Sequence, residues 1–284
     1  MLKIVMLLTV GFQIPAREAT AQTAAEIVAT IERQSGVPAR DNTVDTFKAG
    51  DPSTRVKGVA VTMMATLDVL QRAAAKGHNL IITHEPTFYS HRDATDGLRV
   101  ENDAVFAAKQ KFIEENGLVV WRFHDRPHAM KPDMIREGMI RALEWEHART
   151  FNGNEFRLQE PTVVATLARR IARALDAGAV RIVGDSSATV QRVGFTQGFP
   201  GFGANRDAIR LSVDVLVMGE DHEWETIAYA ADAITAGKLK AAIVIGHTPS
   251  EQRGMEEVAR WLRGFITSVP VEFVASRDPF VPLK

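Results

Sequence analysis

The sequence predicts an α/β protein of two similar halves, each built on a mixed, mostly parallel sheet. Three observations predict it. Short apolar runs alternate with amphipathic helical stretches along most of the chain, the pattern of strand-helix-strand units. One such unit has a second copy: "VKGVAVTMM", "TLDVLQRAAAKG" and "NLIIT" correspond to "VQRVGFTQ", "GANRDAIRLS" and "VDVLVMGED". Thr62 stands as far before Glu85, to within one position, as Thr196 stands before Glu220. Finally, three strands run straight into histidine, and open α/β sheets bind ligands beyond the carboxyl ends of their strands.

The chain opens with "MLKIVMLLTVGFQIPAREATAQ": Lys3, an apolar run from Ile4 to Ile14, then Ala19-Thr20-Ala21 before Gln22. That order reads as a signal peptide over residues 1–21. Its apolar run is too short for a bilayer span of about 20 residues, so the expected mature protein is periplasmic or secreted, with no membrane segment after signal removal. Residues 22–150 form the first half and 151–284 the second, and the last strand can rejoin the first half.

In the first half, "TAAEIVATIERQSG" carries Ile27, Val28 and Ile31 at helical spacing and stops at Gly36 and Pro38. The polar, turn-rich residues 40–56 read as a connector. After the first repeated unit, "ENDAVFAAKQKFIEENG" is an amphipathic helix, "LVVWRF" a strand, and "KPDMIREGMIRALEWE" a helix with Pro132 at its start. The second half adds helix "TVVATLARRIARALDAG" and strand "AVRIVG" before the second unit. Helix "WETIAYAADAITAG", strand "AAIVIG", helix "SEQRGMEEVARWLRGF" and strand "VPVEFVA" follow it.

Composition narrows the chemistry. With 34 basic and 35 acidic residues the net charge is -1, which argues against a nucleic-acid partner and leaves a small-molecule substrate or a protein ligand as the default. There is no cysteine, so disulfides, thiolate catalysis and Cys-type zinc sites are excluded. A metal here must sit on His, Asp and Glu. "QGFPGFGAN" lacks the glycine spacing of a dinucleotide loop, and Pro200 argues against a phosphate cradle.

Four of the eight histidines fall at the three strand tips. "NLIIT" leads into His84 and Glu85, "LVVWRF" into His124, Asp125 and His128, and "AAIVIG" into His247 with Glu251 four residues on. In "GHTPSEQ", Ser250 reads as a helix N-cap and Glu251 as a first-turn residue, either favouring the helix dipole or reaching one ion with His247. In "HDRPH", strand alternation points His124 and Asp125 oppositely, and Pro127 turns His128 back toward the site. His128 is the favoured ligand there, with Asp125 its supporting partner or a substitute ligand. His91 reads as a loop histidine or a substrate-facing group. Glu220 and His222 in "GEDHEWE" occupy the position analogous to His84 and Glu85, as pocket residues or as an acidic helix start. His78 and His147 read as surface residues.

These residues resemble the family of GTP cyclohydrolase I type 2 homologues, also called Ngg-interacting-factor-three-like. The likeness covers most of the chain after the leader and rests on "IITHEP", on "DVLVMGE", and above all on "GHTPSE" followed by "MEEVARWL". It implies paired α/β domains with two metal ions between the halves, and a homo-oligomer of the ring-shaped hexameric kind. Carried across, His84, His247 and Glu251 match family ligands. Glu85 stands where a second histidine is usual, and the family's His followed four positions later by Asp appears as His124 followed by His128. An exchange of His for Glu at one tip and Asp for His at another keeps the ligand count, giving a swapped but intact site; a degenerate site is the alternative.

Imidazole and carboxylate ligands suit two divalent ions of zinc, iron, manganese or nickel. Such a pair favours hydrolysis, with His222, Glu220 or His91 as catalytic proton carriers. The purine-opening activity in the family name fits an exported protein poorly. The expected function is a metal-dependent hydrolase of a small molecule; the alternative is a non-catalytic metal-binding or scaffold protein.

Overall fold

The computed structural model describes residues 22–150 and 153–281; the leader read over residues 1–21 lies outside them. Helix α1 (Ala24–Ser35) opens the described chain. Thr23 and Glu26 close a capping box at its start, and Gly36 ends it at a φ of 65°. Strands β2 (Val59–Thr62), β3 (Leu80–Thr83) and β4 (Val119–Arg122) are buried at every position. That is why they read as unbroken apolar runs rather than alternating ones. Helix α2 (Leu67–Ala75) crosses from β2 to β3, and α3 (Asp96–Val100) and α4 (Ala104–Glu115) cross from β3 to β4. Crossovers of this kind make the strands parallel.

The connector holds a strand that its polar composition hid: β1 (Phe47–Ala49) pairs antiparallel with the outer edge of β4. Two short helices follow β4, α5 (Asp125–Ala129) and α6 (Met134–Ala142). The second half begins with another unforeseen strand, β5 (Glu155–Val163), directly before α7 (Val164–Leu175). It is an edge strand, mostly exposed and with Pro161 inside it, so it lacks the apolar signature of its neighbours. Strand β6 (Arg181–Gly184), β7 (Thr189–Phe195), helix α8 (Gly201–Arg210) and β8 (Val215–Met218) follow. Helix α9 (Ala228–Thr235), β9 (Ala241–Val244), α10 (His247–Arg263) and β10 (Val271–Phe273) complete the chain.

Two five-stranded mixed sheets result, in the orders β1-β4-β3-β2-β10 and β5-β7-β8-β9-β6. Each has a parallel centre, with antiparallel β1 on one sheet and antiparallel β5 and β6 on the other. The last strand, β10, runs parallel to β2 in the first sheet. The repeated unit is visible as β2-α2-β3 and β7-α8-β8, each a parallel pair.

Helices α6 and α10 join the halves. Ile135 of α6 packs with Met255, Val258 and Leu262 of α10 in the core beneath the first sheet. Met139 and Ile140, one turn on, belong to the core beneath the second. The two helices touch backbone to backbone at Gly138 and Gly254: a Cβ on Gly254 would lie 2.4 Å from the Ile135 Cα. Gly254→Ala is therefore expected to destabilise by about 1–3 kcal/mol in spite of alanine's better helix propensity. Urea unfolding measures it; an unchanged midpoint would mean that the helices can move apart without cost.

Candidate metal centre

The sheets direct the carboxyl ends of their parallel strands toward one cleft of about 740 Å³. From the first sheet, the β3 tip is extended by the backbone bonds His84 N to Thr62 O and Glu85 N to Met63 O, which fix both side chains. After β4 the chain leaves extended conformation at His124 and enters α5, which carries His128. Asp45, buried in the connector, accepts from the backbone N–H groups of His124, Asp125 and Arg126 and so holds that turn. From the second sheet, the chain leaves β9 through Ile245 to Gly246, whose φ of 92° lets α10 start at His247. Glu251 follows one turn later on the same face.

Each of the four imidazoles is anchored through Nδ1. His84 Nδ1 lies 3.1 Å from the Phe123 carbonyl, which can only accept, so Nδ1 carries the proton. His124 Nδ1 meets Asp125 at 2.9 Å, His128 Nδ1 meets Asp133 at 3.0 Å, and His247 Nδ1 meets Glu220 at 2.9 Å. The Nε2 atoms then face one another and two carboxylates. His84 and His128 Nε2 are 3.3 Å apart. His247 Nε2 lies 3.3 Å from Glu85 Oε1 and 3.2 Å from Glu251 Oε2, and His124 Nε2 is 3.6 Å from Glu85 Oε1. Glu251 Oε2 is buried and, in spite of these close neighbours, accepts no well-directed hydrogen bond.

Nitrogen and oxygen ligands bound at about 2.0–2.2 Å lie roughly 3–4 Å from one another around an ion. The cluster comes near that spacing: two groups, His84-His124-His128 and His84-Glu85-Glu251, each offer ligand atoms within 4.8 Å of one another, and His84 Nε2 is 3.3 Å from His128 Nε2 and 3.7 Å from Glu251 Oε2. Nδ1 hydrogen bonds to a carboxylate or carbonyl are also the usual support of metal-bound histidine. The residues fit a metal.

Electrostatics point the same way. His247 is opposed by burial, but Glu220, Glu251 and Glu85 raise its pKa to about 12, so that in the metal-free protein a proton supplies the positive charge these carboxylates demand. Glu85 is held well below the usual carboxylate range because His247, His84 and His124 outweigh the cost of its burial. His84 is depressed well below its ordinary value, first by complete burial and then by His124 and His128, which keeps Nε2 free to donate its lone pair.

The sequence-predicted residues fall into three groups. His84, Glu85, His128, His247 and Glu251 converge. Asp125 does not face the cluster: His124 Nδ1 takes one of its oxygens, and Thr43 Oγ1 and Val44 N take the other. The two side chains point apart, as alternation expects, with His124 turned toward the cluster and Asp125 behind it as its supporting partner. Glu220 lines the cleft but is engaged in holding His247, and His91 stands at the lip with its ring 5.9 Å from that of His124. His222 is outside the cleft lining, exposed, stacked on Trp224 at 5.1 Å and bonded to Glu225. Ser250 is not the N-cap of α10; Gly246 is, and the Ser250 hydroxyl donates to His247 O and accepts from Gly198 N. His78 is buried rather than on the surface, with Nε2 at 2.8 Å from Glu272. Sequence reasoning placed His124 at a strand tip without choosing it as a ligand, and missed Asp45, Asp133 and Arg122 entirely. The partners of Asp45 and Arg122 are distant in sequence, so local patterns carry no signal for them; Asp133 lies only five residues from His128 and caps the start of α6.

Behind the 84–91 loop, buried Lys109 donates to the Thr87 carbonyl and lies against the Phe88 and Tyr89 rings. Burial lowers its pKa from 10.5 to about 8, against the opposing pull of Asp93. Its charged form is thus disfavoured in the fold, a cost fully present below pH 8 and relieved as the pH rises toward 10.5, where the unfolded chain also loses the proton. Relative to Lys109→Met, the native protein should gain roughly 2–3 kcal/mol between pH 7 and 10. Parallel stability curves for the two proteins would contradict this.

A two-sheet α/β architecture with a buried His/carboxylate cluster between the strand tips defines a candidate metal-binding protein. The sequence model of the Duf34/NIF3 (NGG1p interacting factor 3) family matches residues 44–279, and the chain belongs to that family. No curated protein matches the sequence. Among solved structures, the chain is similar to protein SA1388 of Staphylococcus aureus, with 17% identity, a TM-score of 0.71, and 92% of this chain and 99% of that one covered. A Bacillus cereus protein related to NIF3 has 14% identity and a TM-score of 0.72, with 93% and 100% covered. Reduced HcgD from Methanocaldococcus jannaschii has 15% identity and a TM-score of 0.63, with 89% and 97% covered. Likeness at these identities establishes the shared fold.

Proposed function

We propose that the protein is a metal-dependent hydrolase whose centre holds two divalent transition-metal ions and acts on a small molecule. The observation that carries this reading is the common orientation of the four imidazoles, each tied down through Nδ1 and presenting Nε2 to Glu85 and Glu251. His84, His124 and His128 with one Glu251 oxygen would hold one ion, and Glu85 and His247 with the other oxygen the second. Glu251 is suited to sharing because its Oε1 faces His128 at 3.7 Å while its Oε2 faces His247. Zinc, iron, manganese and nickel all suit such ligands.

Bound there, the ions supply Lewis acidity toward a carbonyl or phosphoryl oxygen and activate water at neutral pH. The chain's own residues do the rest. Asp125, Asp133 and Glu220 hold the imidazoles of His124, His128 and His247 in place, and Met64 and Tyr89 line the same cleft. His91, exposed at the lip, is placed to carry a proton to or from solvent. Export is supported by the leader pattern, and assembly into a ring-shaped oligomer by the family resemblance. N-terminal sequencing of the mature chain and light scattering test these two.

The test of the centre is elemental analysis of untagged protein beside the His84→Ala, His247→Ala double variant. About two equivalents of transition metal in the native chain, lost in the variant, are expected. No metal after reconstitution would overturn the reading. If metal is present, metal-dependent turnover in a hydrolase screen that disappears in folded His247→Ala marks an enzyme; a metal whose removal takes the fold with it marks a scaffold.

A further inference from the structure

Two side chains in the same cleft have no role in holding the cluster. Arg136, in the first turn of α6, lies against Phe195 and Phe156, its guanidinium carbon 5.5 and 5.7 Å from their ring centroids. Its hydrogen bonds go to two neutral acceptors, the Phe195 and Gly153 carbonyls. Among the described residues no carboxylate pairs with it. Asp133 is engaged by His128 and by the α6 backbone, and Glu137 pairs with Arg149. Asp133 and Glu137 act on it only from beyond ion-pair distance, and a half-buried guanidinium with N–H groups to spare and no paired carboxylate is unusual unless an anion completes it. Gln197 is the second. It lines the cleft, and both its amide nitrogen and its amide oxygen are buried without a partner.

Chain geometry ties both to the centre. Phe195, which accepts from Arg136, is three residues from Gly198, where an added Cβ would lie 2.6 Å from Glu251 Oε1. Three residues span at most about 10 Å, so Arg136 and Gln197 stand beside the cluster, within the reach of a small molecule. We propose that Arg136 and Gln197 form a recognition subsite for an anionic group of the substrate, a carboxylate or a phosphate, held next to the bond that is cut. The inference rests on the hydrolase reading for what is cut, but not for the binding itself. A planar guanidinium meets either anion bidentately. The Gln197 amide offers both a donor and an acceptor to the polar group that joins the anion to the reacting bond.

The test is calorimetry on metal-reconstituted full-length protein with N-acetylglycine, methyl phosphate and the neutral N-acetylglycinamide. One of the anions should bind roughly tenfold or more tighter than the neutral probe, and the tighter of the two names the source. Arg136→Met should erase that preference and Arg136→Lys restore part of it. Gln197→Met should weaken binding several-fold with an equal or higher Tm, since it removes two unpartnered polar atoms; a merely structural residue would lose stability instead. Equal binding of anionic and neutral probes, or an undiminished preference in Arg136→Met, overturns the proposal. If Arg136→Met does not fold, full affinity in Gln197→Met overturns it. Metal content is measured on the same samples. Bound metal without an Arg136-dependent preference sinks this subsite alone, and the preference without bound metal sinks the hydrolase reading alone.

Discussion

Glu251→Ala is expected to strip the proposed centre of metal while the protein stays folded. Glu251 is the carboxylate that His84, His128 and His247 all approach, and Gly198 is pressed against it on the other side. Its removal takes an oxygen from each proposed ion at once. Replacing a supporting partner such as Glu220, which only orients His247, costs about 10–100-fold in metal affinity. Glu251→Ala should cost more than that, and any metal-dependent turnover should vanish with it. Alanine in the second turn of α10 leaves the helix intact, so circular dichroism should be unchanged. Competition with a chelator of known affinity reads the loss. A Glu251→Ala protein that keeps its full metal content would show that the centre lies elsewhere.

Arg122→Met should be the most destabilising single change near the centre. The side chain is fully buried at the end of β4. Nε donates to His84 O at 2.9 Å, Nη1 to His91 O, and Nη2 approaches Glu85 Oε2 at 3.4 Å, with Asp93 at 3.9 Å. Methionine fills similar volume but takes one cation from two buried carboxylates and the side-chain donor from two loop carbonyls. Breaking a buried pair in this way costs about 3–5 kcal/mol, and in a chain of this size lowers Tm on the order of 10 °C. Lys48, which also meets Asp93 at 3.5 Å, offsets only part of the loss. Arg122→Lys should recover less than half, because a single ammonium cannot serve the loop carbonyls and Glu85 together. A loss below about 1 kcal/mol in Arg122→Met would mean that the 84–93 loop is held by other contacts.

Much of this architecture was legible beforehand. Strands β2, β3, β4, β8 and β9 are each four buried residues long, and a strand buried on both faces must be written as an apolar run. The repeated unit showed for the same reason. Strands β1 and β5 did not, because an edge strand exposed on one side carries polar residues and even proline without penalty. At the site, His84, Glu85, His128, His247 and Glu251 could be named because they stand where apolar runs stop. Asp125 could be named as a supporting partner, but the imidazole it supports is that of its neighbour His124, while Asp133 holds His128.

The sequence by itself determined the α/β class, the duplication, the exclusion of thiolate chemistry and the gathering of His and Glu at strand ends. Burial dictates residue type locally, and local type is what a sequence displays. Only the tertiary structure decided which atom of each imidazole faces inward. For two of the four that choice belongs to acceptors far along the chain: the Phe123 carbonyl for His84, 39 residues away, and Glu220 for His247, 27 away. A ring with two similar nitrogens has no preference of its own; the hydrogen bond made by one sets the task of the other.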